Sequence, residues 1–353
     1  MKVKNRRPLS RKQKDAIVII TIGALLGLLY PILSREYDDI GAMLNGVIIG
    51  LVGSGFIVIN EIWLNRPIVR QMKFMPLLIY KSILYSTFFT LTIILVMSSE
   101  RAIKAHMGLI DFMKSGGFSL LVEDDLITII AYALAITVVF ILVYQISRKM
   151  GQGVLWNFIL GKYHRAREEE RIFMFMDINN STVLAENLGD VEFNNLLNDF
   201  FFDITESILI NYGEIYRYVG DEVVVSWKLK KGLPQAHFLR TFFDAKRAIH
   251  RKREKYLEAY GLVPNFTAGF SYGKIIVGEI GEVKSQICFF GDVMNVTPAL
   301  EKGCKKFNTD NLLSEDLLNL VKLPAIFEAK KEGKIEIPGL ESATISAFSM
   351  TEK

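Results

Sequence analysis

Two aspartates are placed where they could support metal-dependent chemistry. Asp177 ends the apolar run 172–176, and Asp221 lies at a predicted turn between the apolar segments 215–219 and 222–225. Hard cations bind carboxylates at such positions, and Mg²⁺ is commonly held by one or two carboxylates together with substrate phosphates. Two such ions can bind both the attacking and the leaving oxygen of an in-line phosphoryl transfer. The sequence therefore predicts chemistry on a phosphorylated substrate.

A polar turn and a predicted helix follow Asp177 directly. The turn consists of Ile178, Asn179, Asn180, Ser181 and Thr182. Ser181 or Thr182 is the expected N-cap, because a hydroxyl can accept from the free backbone amides of the first helical turn. Those amides also bind phosphate. We therefore expect a phosphate site beside the first carboxylate.

The C-terminal part of the chain, residues 147–353, alternates between strand and helix patterns. The expected elements are a strand at 172–176, helices at 181–188 and 192–210, a hairpin at 214–219 and 222–227, a long helix at 234–260, a second hairpin at 265–272 and 274–279 through Gly273, a strand at 285–290, and a helix at 293–306 interrupted early by Pro298. This order favours an antiparallel-centred sheet covered by helices, an α+β domain of the ferredoxin-like kind.

The N-terminal part is far more apolar. The 353 residues are 50% hydrophobic with a mean hydropathy of +0.27, and the excess is concentrated in residues 16–146. Crossing a bilayer takes about 20 apolar residues, and four segments are long enough: 16–34, 40–64, 76–98 and 126–146. No small-residue cleavage pattern follows the first, so it is not read as a signal peptide. We predict an α-helical membrane domain of four spans, residues 1–146, in which Glu61 and Lys81 reach toward the bilayer surface, with buried functional charges as the alternative.

Charged residues in the short connecting segments predict the orientation. Lys and Arg cluster before the first span, between the second and third, and after the fourth, whereas the first loop carries Glu36, Asp38 and Asp39. Basic loops remain in the cytosol, so both termini are expected on the cytoplasmic side of the cell's inner membrane. The net charge of +4 does not indicate nucleic-acid binding, and Cys288 and Cys304 have no metal or disulfide spacing.

Four motifs resemble those of the class III nucleotidyl cyclases, the adenylate/guanylate cyclase family. They read FMDINNST, YVGDE, AGFSYG and FGDVMN, at residues 175–182, 218–222, 268–273 and 290–295. The resemblance covers residues 171–349, so 171–353 is predicted to be the catalytic domain. Residues 147–170 are similar to the linkers of bacterial members anchored by several spans. We interpret them as a juxtamembrane coupling linker, with a plain solvated linker as the alternative.

The resemblance implies a homodimer with two sites across the subunit interface. In each site Asp177, Asp221 and the Ile178 carbonyl would bind two Mg²⁺ or Mn²⁺ ions, and the turn at 179–182 would bind the triphosphate. The partner subunit's Asn295 would act as a catalytic residue near the ribose. The implied reaction is attack of the ribose 3′-oxygen on the α-phosphorus, which releases pyrophosphate.

The resemblance also identifies Gly220, Arg217 and Cys288 as substrate-binding residues. At the positions of Arg217 and Cys288, adenylate-specific members often have lysine and aspartate, whereas guanylate-specific members tend to have an acid and a cysteine. An arginine donor can bind N1 of adenine but meets another donor at N1 of guanine. ATP is therefore the predicted substrate, with GTP as the alternative.

Two cationic positions depart from the family pattern. Members usually have an arginine four residues after the Asn295 equivalent, where this chain has Ala299, preceded by Pro298. A later phosphate-binding lysine would fall near residues 338–340, where the chain has none, and the candidate substitutes are Lys302, Lys305 and Lys334. Losing such a cation commonly lowers rates by orders of magnitude. A weakly active or silent cyclase-like protein that dimerises in the membrane is therefore the alternative function.

A diguanylate cyclase or polymerase of the palm type would share the two carboxylates. The hairpin at 219–223 lacks the double glycine and phenylalanine of the diguanylate signature, and the motif at 291–295 has no role in those enzymes. These two differences disfavour a palm-type diguanylate cyclase or polymerase.

Overall fold

The computed structural model describes residues 11–33, 40–63, 73–115, 126–150, 160–283, 285–338 and 344–353. Contacts between residues divide the chain into two compact units, Met1–Lys149 and Met150–Lys353. We call them the first and the second unit. The predicted boundaries at 146 and 170 stay predictions, and the linker residues 151–159 lie outside the described part of the chain.

The described part of the first unit is helical. Its helices are α1 (Arg11–Leu33), α2 (Ile40–Val58), which a π-helical turn (Ile59–Trp63) extends, α3 (Phe74–Lys104), α4 (Leu109–Lys114) and α5 (Leu126–Met150). Glycines bring the backbones of α1 and α2 into contact: a Cβ on Gly27 would lie 2.0 Å from the Gly46 carbonyl oxygen, and one on Gly50 would lie 2.2 Å from that of Gly23. Small residues at such positions are typical of closely packed membrane helices.

Two segments in the described part of this unit are long and apolar enough to cross a bilayer, Ile40–Glu61 and Phe74–Lys104. In α1 and α5 the corresponding apolar stretches are shorter, Ile19–Leu29 and Ile130–Ile146. All four predicted spans are thus helical in part or whole, but the expectation of four spans is not confirmed.

A buried ion pair links α2 to α3. The Lys81 ammonium group contacts the Glu61 carboxylate, and the Tyr85 hydroxyl donates to Glu61 Oε1 at 2.9 Å. Glu61 and Lys81 are each only 6% exposed. The expectation that they reach toward the surface is therefore wrong, because each finds a partner of opposite charge inside the unit.

The second unit is an α+β domain, as predicted. Its elements in chain order are β1 (Arg167–Ile178), α6 (Ser181–Leu188), α7 (Asp190–Ile210), β2 (Glu214–Val219), β3 (Glu222–Lys228), α8 (Leu229–Gly232), a 3₁₀ turn (Pro234–Ala236), α9 (His237–Arg251), α10 (Arg253–Tyr260), β4 (Phe266–Ile280), β5 (Gln286–Phe290), α11 (Val293–Phe307), β6 (Asn311–Ser314), α12 (Glu315–Leu320), β7 (Phe327–Glu336) and β8 (Thr344–Glu352).

These strands form one mixed eight-stranded sheet. Its order is β2-β3-β1-β4-β6-β8-β7, and β5 pairs with β4. The first four strands, all antiparallel, have the order β2-β3-β1-β4, which together with α6–α7 and α9–α10 makes the βαββαβ arrangement of ferredoxin-like domains. Strand β6 joins β4 in parallel, and β8 and β7 extend the sheet beyond it.

Both faces of β1 are buried, which explains its unbroken apolar run. Side chains alternate between the faces of a strand. Ile172 and Met174 belong to the main core under the helices, whereas Phe173 and Phe175 pack on the opposite face with Phe289 of β5 and neighbouring residues. The second face is therefore covered by the β4–β5 hairpin, which folds back across the sheet.

The chain just before β1 is fixed to this second face. Tyr163 is 5% exposed and belongs to the same apolar cluster as Phe173. Its hydroxyl donates to Glu169 Oε1 at 2.9 Å, and its carbonyl accepts from the Glu279 amide at 3.0 Å. Glu169 also pairs with the buried guanidinium of Arg171, at 2.8 Å.

Four predicted local features are wrong. Residues 266–280 form one continuous strand, because Gly273 pairs with Arg171 and β1 extends back to Arg167, opposite Val277. The predicted helix at 234–260 begins with a 3₁₀ turn and breaks at Lys252. Helix α11 continues through Pro298. The N-cap of α6 is Asn180, in the left-handed region, and Ser181 is already helical.

Replacing Gly269 by alanine should destabilise the second unit. A Cβ at Gly269 would lie 2.4 Å from both the Glu301 amide nitrogen and the Thr297 carbonyl oxygen, so β4 and α11 would have to separate. We expect the melting temperature to fall by about 5 °C, which corresponds to roughly 2 kcal/mol for a unit of this size. Near-ultraviolet circular dichroism of the full-length protein measures it.

Gly278→Ala is the matched control on the same strand. Its added Cβ would meet Ala166 at 3.5 Å, an ordinary contact. We expect almost no change in melting temperature, and an equal fall in both variants would contradict the close approach of β4 and α11.

Candidate functional site

Pairing between β1 and β3 brings the two predicted metal-binding aspartates together. Asp177 lies opposite Glu222, the first residue of β3, and Asp221 precedes it in the two-residue turn after β2. The first residue of this turn is Gly220, whose φ of +62° lies in the left-handed region that glycine adopts readily. The tight turn therefore holds Asp221 at the end of β1.

Asp177 is in an environment that disfavours its charge. Its Oδ1 atom is buried and has no hydrogen-bond partner among the described residues. Burial, followed by the neighbouring Asp221 carboxyl and by Glu301 and Glu222, raises the pKa of Asp177 to about 8. Like charges that are close in a poorly hydrated site cannot all ionise at low cost. The site therefore favours a proton or a cation.

Two further acids, which the sequence analysis did not identify, belong to this group. Burial and then the charge of Glu301 raise the pKa of Glu222 to about 7, and burial also raises the pKa of Glu301. Glu222 directly follows the predicted Asp221 in the sequence, so its place at the site could have been predicted from that position. Glu301 is far away in the sequence and reaches the site because α11 packs on β4.

The polar turn after β1 is tied to the same group. The Asn179 amide donates to the Asn265 carbonyl at 2.9 Å, and the Thr267 hydroxyl lies 3.1 Å from Asn179 Oδ1 and 2.7 Å from Glu301 Oε1. Ile178 is buried in β1. Helix α6 then begins at Ser181, four residues after Asp177, and Thr182 in its first turn is exposed. The predicted phosphate turn thus follows Asp177 directly, and Asn179 is connected to Glu301 through Thr267.

The carboxylates fit a divalent cation that has further ligands from elsewhere. Among the described residues no group of three or more His, Cys, Asp or Glu side chains is arranged to hold a metal ion. Two carboxylates are nevertheless enough when phosphate oxygens complete the coordination shell, as is common for Mg²⁺. The unpartnered Asp177 Oδ1 and the mutual repulsion with Asp221 are what a cation would relieve.

The two predicted base-recognition residues meet at a residue that the sequence analysis missed, Tyr216. The Arg217 guanidinium lies 5.1 Å from the centroid of the Tyr216 ring. The neighbouring Cys288 thiol adds to the burial that raises the pKa of Tyr216. Tyr216 also stacks on Phe289, with ring centroids 4.2 Å apart, and its hydroxyl accepts from the Phe289 amide at 3.2 Å. It thereby connects β2 to β5.

Asn295 lies apart from Glu301 of its own chain. Asn295 is exposed on the first turn of α11, whereas Glu301 lies six residues further along the helix, which is about 9 Å. Ala299 is 6% exposed and packs in an apolar cluster with Leu300. Two cations act on these acids: the charge of the exposed Lys302 lowers the pKa of both Glu222 and Glu301 against the effect of burial, and the charge of Arg217 also lowers that of Glu222. The part of the chain near residues 339–343 lies outside the described residues.

Comparisons with known proteins match this second unit. The family model of the adenylate and guanylate cyclase catalytic domain matches residues 164–351. Adenylate cyclase 2 of Rhizobium meliloti (strain 1021) is 33% identical over 225 residues, which are 64% of this chain and 62% of that protein. The chain therefore spans less than two thirds of the length of this curated relative.

Among solved structures, a bacterial light-regulated adenylyl cyclase is similar to this chain with a TM-score of 0.55. The sequence identity is 21%, and the match covers 65% of this chain and 67% of that one. At this identity the likeness concerns the fold alone, and it agrees with the α+β architecture of the second unit.

Metal-free protein should lose stability as the pH rises from 5.5 to 8.5. Asp177 keeps its proton in the folded state up to a pH of about 8 but releases it near the ordinary value of 3.8 when unfolded. Between these values the folded state binds more protons, so the free energy of unfolding falls with rising pH. Melting temperatures in a chelator measure this fall.

Asp177→Asn should reduce the dependence of the melting temperature on pH. A smaller dependence should remain, because the pKa of Glu222 is also raised. Adding Mg²⁺ or Mn²⁺ at pH 8.5 should raise the melting temperature of the wild type more than that of the variant. A wild-type melting temperature that rises with pH in parallel with the variant would contradict the repulsion between the two aspartates.

Proposed function

Because the chain belongs to the family of adenylate and guanylate cyclase catalytic domains, we propose that it is a membrane-bound enzyme that converts ATP to cyclic AMP and pyrophosphate for intracellular signalling. The observation that carries the proposal is the pair of neighbouring carboxylates, Asp177 and Asp221, with a polar turn and a helix start directly after Asp177. Such a site suits phosphoryl transfer on a nucleoside triphosphate, which depends on positioning and on neutralisation of charge.

Asp177 and Asp221 would hold two Mg²⁺ or Mn²⁺ ions per site, together with the Ile178 carbonyl. When bound, the ions supply charge neutralisation and alignment of the ribose 3′-oxygen with the α-phosphorus. The turn at 179–182 would bind the triphosphate through the free amides at the start of α6. The Thr267 bond to Asn179 supports this role by fixing the turn.

The proposed assembly is a homodimer in which each site takes residues from both chains. Asn295 supports this, since it is exposed and lies about 9 Å along α11 from Glu301 of its own chain. In the dimer, the partner subunit's Asn295 would orient the ribose. Positioning of this kind can supply a large share of the rate enhancement in phosphoryl transfer.

The proposed substrate is ATP, and GTP is the alternative. Arg217 and Cys288 would contact the base, and Tyr216 holds them near each other. The guanidinium is only a donor, so it matches the acceptor N1 of adenine and meets a donor at N1 of guanine.

The membrane part of the proposal is a four-span anchor with both termini in the cytosol. The two apolar segments Ile40–Glu61 and Phe74–Lys104 support membrane association. The basic segments before the first span and after the fourth support the orientation. The segment at 147–170 would couple the anchor to the catalytic domain.

Turnover of ATP by the full-length protein is the direct test. With Mn²⁺ and ATP, we expect cyclic AMP, and with GTP a lower yield of cyclic GMP, both measured by chromatography. Asp177→Ala should abolish the product, because one of two metal-binding carboxylates is lost, whereas Glu258→Ala, on the exposed side of α10, should not change it. If the wild type forms no more product than Asp177→Ala does, the proposed cyclase activity is refuted.

We propose that Lys302 supplies part of the positive charge that the family's arginine provides. Lys302 directly follows Glu301 on α11, and its charge lowers the pKa of Glu222 and Glu301 against the effect of burial, which supports this role. Lys302→Gln should lower kcat about tenfold or more. Lys306→Gln, an exposed change one turn further along α11, should keep kcat within about twofold of the wild type. A kcat of Lys302→Gln within twofold of the wild type would exclude Lys302.

One observation favours the second candidate, a dimerising membrane protein with a silent cyclase domain. Ala299 packs into an apolar cluster where an arginine would reach toward the phosphates in the family pattern. ATP that binds in the presence of Mn²⁺ without forming cyclic AMP would support this candidate and refute turnover.

A further inference from the structure

The first unit contains a cavity of about 160 Å³ between α1, α2, α3 and α5. We propose that it is a binding site for one small, mostly apolar molecule that carries a single hydrogen-bond donor. The proposal concerns the first unit alone and does not depend on the activity proposed above.

Close contacts at glycines fix two walls of the cavity. Gly23 and Gly50 place α1 directly against α2, and a Cβ on Gly53 would lie 2.3 Å from the Phe89 ring of α3. Helices that touch through their backbones cannot move closer to fill the remaining space. The cavity is therefore a consequence of how the glycines are placed, and its lining lacks the dispersion contacts that a ligand would provide.

Most of the lining is apolar. Residues from three of the helices surround the space, among them Ile49, Phe89, Ile93, Ala133, Ile136 and Phe140. Ser54, which also lines it, donates its hydroxyl to the Gly50 carbonyl at 2.6 Å and so is engaged within α2. Ligand sites in proteins are commonly apolar cavities with a few polar groups that fix orientation.

One end of the cavity is polar and offers hydrogen-bond acceptors. The Asn45 amide group donates to Glu100 Oε2, and Glu100 Oε1 pairs with Lys104 at 2.7 Å. A carboxylate accepts about four hydrogen bonds, and the Asn45 side-chain oxygen is also an acceptor. The groups that face the cavity here therefore match a ligand with an O–H or N–H group.

The size of the cavity sets the size of the ligand. An apolar cavity of about 150 Å³ in another protein binds benzene. A single ring with one hydroxyl group thus has suitable dimensions, and phenol is a fitting probe. Toluene has nearly the same shape without a donor, so the pair separates shape from hydrogen bonding.

Equilibrium dialysis of radiolabelled phenol against the full-length protein in lipid nanodiscs tests the site. Empty nanodiscs correct for partition into lipid. We expect saturable binding with one molecule per chain, and at least tenfold weaker binding of toluene. Binding that does not saturate, or equal affinity for phenol and toluene, would overturn the proposal.

Two leucine substitutions on α5 provide a matched pair. Ala133 lines the cavity and is 5% exposed, whereas Ala135 is exposed on the same helix. Ala133→Leu should fill the space and weaken phenol binding at least tenfold, and Ala135→Leu should leave it unchanged. Equal binding by both variants would place the phenol elsewhere. Should Ala133→Leu fail to fold, the phenol–toluene comparison on the wild type still decides.

A substitution of Glu100 tests the polar end of the cavity. Glu100→Leu removes the carboxylate, so the preference for phenol over toluene should disappear while toluene binding is retained. A preference that persists in this variant would exclude Glu100 as the acceptor. All of these measurements are made without nucleotide, so an inactive cyclase would not affect them.

Discussion

The candidate site depends on two like charges being held side by side. The antiparallel register of β1 and β3 places Asp177 opposite Glu222 and next to Asp221, and ladder hydrogen bonds on both sides keep the strands in this register. The register thus keeps the backbones of these acidic residues close together. Their repulsion is a consequence of the fold, and a proton or a cation relieves it.

The same sheet also arranges the residues that would contact the base. Tyr216 and Phe289 come from strands that do not pair with each other, and they meet because the β4–β5 hairpin folds across one face of the sheet. Arg217 and Cys288 are neighbours of these two rings. Their relative position is thus fixed by aromatic packing rather than by strand pairing.

The sequence was sufficient where the signal was local. Asp177 follows an apolar run and Asp221 lies at the turn between two others, so they could be identified as a strand-end and a hairpin-turn carboxylate, and helix 181–188 was predicted with its correct bounds. Glu301 could not be found in this way, because its role depends on the close approach of α11 to Gly269. Gly273 was misread as a turn, since the extension of β1 that pairs with it is polar and charged.

Inside the first unit, the prediction that Lys81 reaches toward the surface is wrong for a related reason. The burial of Lys81 depends on Glu61, twenty residues earlier in the chain and contributed by another helix. Pairing of this kind is a property of the packed helices, so hydropathy alone assigns such a lysine to the surface.

The attachment of Tyr163 has a mechanical consequence. Its ring shares an apolar cluster with Phe289, and its carbonyl is tied to Glu279 on the strand that carries the β4–β5 hairpin. A displacement of the chain just before β1 would therefore also displace the β4–β5 hairpin. It would reach the ring of Phe289, which stacks on Tyr216.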